Sequence, residues 1–191
     1  MIEIVLATTN PHKVFEINAI ANKHGINFIK VCEGFDPIED GNSFEENSAI
    51  KAKEASKLMK SYALADDAGL CVNSLNGRPG LHSARYAPTQ EEKIKKLLNE
   101  LNNCNDRTAQ FVCTMVLTDK NGNILNTTKG ICEGKIALEP SGNGGFGYDP
   151  IFEIDSLNKT MADLTPDEKN TISHRAQALL PMLKWIKTNF N

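Results

Sequence analysis

The segment Thr8-Thr9-Asn10-Pro11-His12-Lys13 puts a lysine in the first turn of a helix that follows a strand. A cation there opposes the helix dipole, so an anion such as phosphate is expected to offset it. Unpaired backbone N–H groups of the same turn would point at that anion. The glycines and the Lys-Ser/Thr pair of a Walker A loop are missing. A plain capped helix with a solvated lysine accounts for the segment equally well. Ala65-Asp66-Asp67-Ala68-Gly69 sets two carboxylates after a buried strand, where one could hold Mg2+ or orient a water. Neighbours in an extended chain face opposite ways, so one Asp of the two is expected in a cleft. A polar turn is the plainer alternative. The loop from Ser141 to Pro150 holds G-x-G-x-x-G between Gly142 and Gly147. Asp149-Pro150 and a strand-like Ile151-Phe152 follow it, where a dinucleotide fold would open a helix. A mobile loop presenting Phe146, Tyr148 and Asp149, with an aromatic to stack on a base, fits better. Lys169, His174 and Arg175 lie close together near helix starts, either as a cationic cluster or as a solvated face. The histidines His12, His24, His82 and His174 lack metal-ligand spacing.

The elements that must position these residues alternate in type. Ile2–Thr8 reads as a strand, and Asn10 caps a helix that Pro11 opens. That helix carries Val14, Ile17 and Ala21 on one stripe and stops near Gly25, with His24 at its C-terminus. Ile26–Val31 is a short strand. Capping boxes begin at Ser43, Thr89 and Thr165, each with Glu three residues on. The first starts an Ala-rich helix to about Lys60. The second starts a helix with Ile94, Leu97, Leu98 and Leu101 on its core face. Tyr62–Ala65 and Leu70–Leu75 read as two short strands, the second closed by Asn76-Gly77. Ala109–Thr118 and Ile124–Cys132 form a hairpin around Asn121-Gly122, with strand signals to Leu138. Ile151–Ile154 is a last strand. The rest is helical to about Lys187, broken near Ser173 and kinked at Pro181. This order implies an α/β fold with a mixed sheet.

Composition narrows the function classes. A chain of 191 residues is long enough to bury one core without disulfides, and residues 1–191 read as a single domain. The net charge of −3 leaves no basic surplus for a nucleic-acid backbone. No apolar run approaches the roughly 18 residues that would span a bilayer, and the N-terminus is too short for a signal segment. The five scattered cysteines form no C-x-x-C pair and read as reduced thiols of a cytoplasmic protein.

Taken in order, the segments resemble the inosine/xanthosine triphosphate pyrophosphatase family. The matching motifs are Thr8, Asn10 and Lys13; Ala65-Asp66-Asp67 with Gly69-Leu70; and Pro79-Gly80 with Ser83-Ala84-Arg85-Tyr86. Gly144 to Phe152, Glu168-Lys169 and Ser173-His174-Arg175 complete the set. The resemblance implies a long mixed sheet flanked by helices, in two lobes with a nucleotide-binding cleft between them. It implies a homodimer, Mg2+, and cleavage of ITP, dITP or XTP to the monophosphate and pyrophosphate. By the family pattern Lys13 and its loop (Thr8, Thr9, Asn10, Pro11, His12) hold phosphates. Asp67 is the catalytic carboxylate and a metal ligand, and Glu39 matches a second acidic metal position, with Asp40 the alternative. Ala68, Phe146, Gly147, Tyr148, Asp149, Lys169, His174 and Arg175 surround the substrate, with Phe146 stacked on the base. Thr9 stands where the family often has Gly, and Ala68 where Ser is common. The competing class is a non-catalytic purine-nucleotide sensor or scaffold, which could share the phosphate and base loops without needing Asp67 or a metal carboxylate.

Overall fold

The computed structural model describes residues 3–190. The expected first strand is β1, Ile4–Leu6, and its Ile2 lies outside the described residues. It is followed by helix α1 (Pro11–Lys23), strand β2 (Phe28–Lys30) and helix α2 (Phe44–Met59). Strand β3 (Tyr62–Val72), helix α3 (Gln90–Glu100) and the long strands β4 (Thr108–Thr118) and β5 (Ile124–Ile136) come next. Strands β6 (Phe152–Ile154) and β7 (Lys159–Thr160) precede helices α4 (Pro166–Ile172) and α5 (His174–Asn189). The hydrogen-bonded order is β2-β1-β3-β4-β5-β6-β7. Strand β1 is parallel to β2 and β3, whereas β6 is antiparallel to β5 and β7, so the sheet is mixed as expected.

The chain forms two compact units. Unit 1 comprises residues 1–67, 113–130 and 174–191, and unit 2 comprises 68–112 and 131–173. Strands β3, β4 and β5 each run from one unit into the other without a linker.

In unit 1, Val5, Ala7, Ala63, Ala65 and Val116 of the sheet pack with Ala52 and Ala55 of α2. Alanines let α2 lie close to β3, and the Ser48 hydroxyl donates to the Ala65 carbonyl at 3.0 Å. Helix α1 buries Ile17, Ile20 and Ala21, one helical face at i, i+3, i+4, with Val14 only half-buried at its edge. Gly130 in β5 has no side chain because a Cβ would meet the backbone of α5 at His174 O and Ala178 N. In unit 2, Ile94, Leu97 and Leu101 pack with Phe111, Tyr148, Ile151 and Phe152. The Phe111 and Phe152 rings lie tilted with centroids 4.5 Å apart.

Two local expectations change. Tyr62–Ala65 and Leu70–Leu75 are a single strand, β3, which ends at Val72 before a short 3-10 turn. Asp66 and Asp67 therefore sit inside a strand rather than in a turn. Their polar character suggested a break, but cations elsewhere in the chain pair with them where they stand. The box at Ser43 is half formed. Ser43 accepts from the Glu46 amide at 3.1 Å, while Glu46 reaches back to Asn42 N at 2.7 Å instead of to Ser43. The boxes at Thr89 and Thr165 are complete. Ser173 separates α4 from α5 as expected, and α5 continues through Pro181.

Candidate active site

Unit 1 gathers a dense set of charges at the start of α1, on α2 and on β3. Asn10 caps α1, and its Oδ1 accepts from His12 N at 3.0 Å and Lys13 N at 3.4 Å. The Asn10 amide donates to Thr8 Oγ1 at 3.2 Å. Val14 N bonds to the Asn10 carbonyl at 3.1 Å, and Pro11 has no N–H. The expected row of unpaired amides is therefore absent from this first turn, because Asn10 takes them up. What the helix start offers instead is the Lys13 ammonium, 3.0 Å from Asp66 Oδ2. Thr9 is exposed beside it.

Adjacent side chains on β3 diverge as the strand period requires. Asp66 is 1% exposed and accepts from Lys13 and from Arg175 Nε and Nη2, at 3.4 and 3.3 Å. Burial pushes its carboxyl up, but the charges of Lys13, Arg175 and Lys51 outweigh this and hold it well below the usual carboxylate range. Asp67 faces the other way, 3.4 Å from Lys51 Nζ, which is also 2.7 Å from Glu39 Oε2. Burial raises the Asp67 carboxyl; Lys51 and Lys13 lower it, Glu39 and Asp66 raise it, and the net shift is upward. Burial works against the Lys51 ammonium, yet Asp67, Asp66 and Glu39 outweigh it and raise its pKa. The Glu39 loop is fixed by α2, since Gly41 N donates to Asn47 Oδ1 at 2.9 Å. Asp40 is exposed.

Unit 2 holds a second cluster. Asp149 Oδ2 accepts from Phe146 N and from Lys169 Nζ, both at 2.7 Å. The Lys169 ammonium lies 5.2 Å from the centroid of the Phe146 ring, within reach of a cation–π attraction. Gly145 has a φ of +70°, and a Cβ there would strike Asp149 Oδ2, so only glycine lets the loop close on that carboxylate. Gly147 N donates to Gln90 Oε1 at 3.0 Å, tying the loop to the first residue of α3. Tyr148 is buried, its hydroxyl donates to Ser83 O at 3.1 Å, and burial raises it far above the ordinary phenol range. Ser83 in turn accepts from Leu70 N at 2.9 Å. Ala68, half-buried, is the first residue of this unit.

The residues named from the sequence thus fall into two groups. Thr8, Thr9, Asn10, Pro11, His12, Lys13, Glu39 and Asp67 belong to unit 1, and so do His174 and Arg175. Ala68, Phe146, Gly147, Tyr148, Asp149 and Lys169 belong to unit 2. Both His174 and Arg175 are buried at the start of α5.

Residues 4–185 match the sequence pattern of the Ham1 family. The chain belongs to the Ham1 family. Its Ham1 relatives include the dITP/XTP pyrophosphatase of Treponema denticola, 46% identical over 97% of this chain and 98% of the relative. The dITP/XTP pyrophosphatase of Staphylococcus epidermidis is 44% identical over 98% and 97%. The Ham1 protein of Coxiella burnetii has the same fold, with a TM-score of 0.89, 42% identity, and coverage of 98% of this chain and 100% of that one.

Within this Ham1 chain, sequence reasoning passed over Lys51 and Glu16. Lys51 could have been found, because Ser48, Lys51, Ala52 and Ala55 share one helical face and all four are buried. A lysine on an otherwise small, buried face needs a carboxylate opposite it. Glu16 gives no such signal, as its partner is Arg175, 159 residues away. Among the described residues, no cluster of three or more His, Cys, Asp or Glu side chains forms a metal site. Asp67 and Glu39 nevertheless converge on one point, the Lys51 ammonium, and Asp67 is under-compensated there. Mg2+ is commonly held by one or two carboxylates together with substrate phosphates and waters. This pair fits such an ion.

Proposed function

We propose that this chain hydrolyses the non-standard purine nucleoside triphosphates ITP, dITP and XTP to the nucleoside monophosphate and pyrophosphate, removing them from the nucleotide pool. The carrying observation is Asp67: a mostly buried carboxylate with a raised pKa, held against Lys51 and Glu39 in the unit that also presents Lys13. A sensor or scaffold has no use for a carboxylate so placed. The passage of three strands through both units supports reading residues 1–191 as one catalytic domain.

In this reading a water oxygen bonds to the α-phosphorus as the bond to the bridging oxygen of pyrophosphate breaks. Asp67 orients that water and accepts its proton, a task suited to a carboxylate less acidic than usual. Lys13 neutralises phosphate oxygens, and Lys51 stabilises charge beside Asp67. Asp67 and Glu39 would hold Mg2+, which supplies charge neutralisation to the triphosphate when bound. In unit 2 the base stacks on Phe146, and Lys169, which can only donate, meets the C6 oxygen of hypoxanthine or xanthine. Adenine carries an amino donor at that position. A homodimer in the cytoplasm completes the reading and rests on the family resemblance. No described helix is long and apolar enough to cross a membrane.

The test is incubation of the purified protein with ITP and Mg2+, assaying IMP and pyrophosphate. Release of pyrophosphate is expected. Tight ITP binding without product would favour the sensor instead.

A further inference from the structure

The loop from Ser141 to Gly147 has four glycines in seven residues. Glycine loses more backbone freedom on folding than any other residue, so such a loop does not hold a ring in place by itself. Phe146 is the one large side chain in it, and its setting depends on ties from outside. At the start of the loop, Thr160 Oγ1 donates to Ser141 O at 2.9 Å and Gly144 N donates to Ala162 O at 3.0 Å. Directly after Phe146, two side-chain ties follow in succession. Gly147 N donates to Gln90 Oε1 at 3.0 Å, and the Tyr148 hydroxyl donates to Ser83 O at 3.1 Å. Burial keeps that phenol protonated, and therefore a donor. Ser83 is itself held from two sides. It is 7% exposed in the 3-10 turn Gly80–Arg85, where its Oγ accepts from Leu70 N of β3 at 2.9 Å and donates to Gly80 O at 2.6 Å. The end of the turn rests on α3. The Tyr86 hydroxyl donates to Glu100 Oε1 at 2.7 Å, and Lys96 Nζ donates to Tyr86 O at 3.0 Å while lying 3.9 Å from the centroid of its ring. Helix α3 also carries Gln90, so a strand, a turn and a helix of unit 2 grip the loop at two adjacent residues. Each such hydrogen bond adds little to global stability. Both hold the residues next to Phe146, so their loss releases the ring before it unfolds the chain. We propose that Ser83 and Gln90 are positioning residues for Phe146, Ser83 acting through Tyr148 and Gln90 through the Gly147 amide, and that together they set the ring where a purine stacks. The inference rests on the pyrophosphatase reading, in which Phe146 meets the base.

The experiment compares wild type with Gln90→Ala, Gln90→Glu, Ser83→Ala, Tyr148→Phe and the double variant Ser83→Ala/Tyr148→Phe. Each is measured for kcat and KM with ITP, for binding of IMP and of pyrophosphate by titration calorimetry, and for melting temperature. Stacking a base on an aromatic ring is worth about 5–150-fold in affinity, and a loosened ring forfeits part of that. Gln90→Ala and Tyr148→Phe are each expected to raise the KM for ITP and weaken IMP binding about 5–10-fold, with kcat and pyrophosphate binding little changed. Gln90→Glu keeps an acceptor oxygen in the same place and should behave as wild type. In the Tyr148→Phe background, Ser83→Ala should add almost nothing, since Ser83 acts through the hydroxyl that is gone. A purely structural role would lower the melting temperature and weaken IMP and pyrophosphate binding together. Gln90 is exposed and Tyr148→Phe keeps the ring, so both remain informative if Ser83→Ala does not fold. Unchanged KM and IMP binding in Gln90→Ala and Tyr148→Phe, a Gln90→Glu variant as impaired as Gln90→Ala, or multiplying losses in the double variant overturns the proposal. If wild type releases no pyrophosphate from ITP, the pyrophosphatase reading fails instead. IMP binding then decides the positioning claim by the same comparisons, and a wild type that does not bind IMP overturns it as well.

Discussion

Asp67 and Asp66 are chemically identical neighbours with opposite fates. Two cations claim Asp66 and hold it ionised, whereas Asp67 shares the single Lys51 ammonium with Glu39. The less compensated of the two is the better proton acceptor. Asp67→Asn keeps the shape and removes the base. It is expected to lower kcat about 10²–10⁴-fold while leaving the KM for ITP within a few-fold. Steady-state kinetics at saturating Mg2+ checks this, and unchanged kcat would remove Asp67 from the chemistry. In unit 2 the comparable residue is Gly145. Gly145→Ala places a methyl group against Asp149 and forces a left-handed backbone on an L-residue, at about 1–2 kcal/mol. The strain should free the Phe146 loop, so KM should rise for ITP and XTP together with kcat less affected.

At the scale of the elements, capping chemistry was the most legible part of the sequence. Asn10-Pro11, Thr89 and Thr165 act on backbone groups within three residues of themselves, so their neighbours in sequence are their neighbours in space. The continuity of strand β3 through Asp66 and Asp67 was illegible for the opposite reason. Its carboxylates read as a turn because Arg175 lies 109 residues from Asp66 along the chain. Lys13 and Asp67 were found from residue type and order, but the pairing of Lys13 with Asp66 and the burial of Arg175 needed three dimensions. The caps themselves are testable. Thr89 accepts from Glu92 N at 3.2 Å and Glu92 reciprocates. Thr89→Ala should cost about 1 kcal/mol and lower the melting temperature by about 2–4 °C in a chain of this size. A thermal scan at fixed protein concentration measures it. Helix α3 also holds Gly147 through Gln90, so the same change should soften the loop.

For the whole molecule, the proposed function asks different things of the two units. In it the charges of unit 1 answer to any triphosphate, and Lys169 of unit 2 answers to a purine with an oxygen at C6. The kcat/KM for ITP and XTP should therefore exceed that for ATP by at least about two orders of magnitude, because a donor facing a donor leaves buried groups unpaired. Lys169→Ala should narrow the gap mainly by harming ITP. Equal loss with ITP and ATP would take Lys169 out of base recognition. Chelation with EDTA should stop turnover and leave the circular dichroism spectrum unchanged, with activity restored by added Mg2+. A chelated protein that still hydrolyses ITP at the full rate would exclude the metal from the reaction.

The order of the segments in unit 1 also has a consequence for synthesis. Lys13 and Asp66 leave the ribosome early, but the arginine that shares Asp66 with Lys13 is encoded 109 residues after it. At about 5–20 residues per second, that interval is about 5–20 s. For that time a carboxylate destined for full burial has only one of its two cations. Both segments of unit 2, residues 68–112 and 131–173, are made before α5 begins. The last helix to be translated is thus the one that locks the first, and the ion pair of Lys13 with Asp66 gains its second cation only when nearly the whole chain has been made.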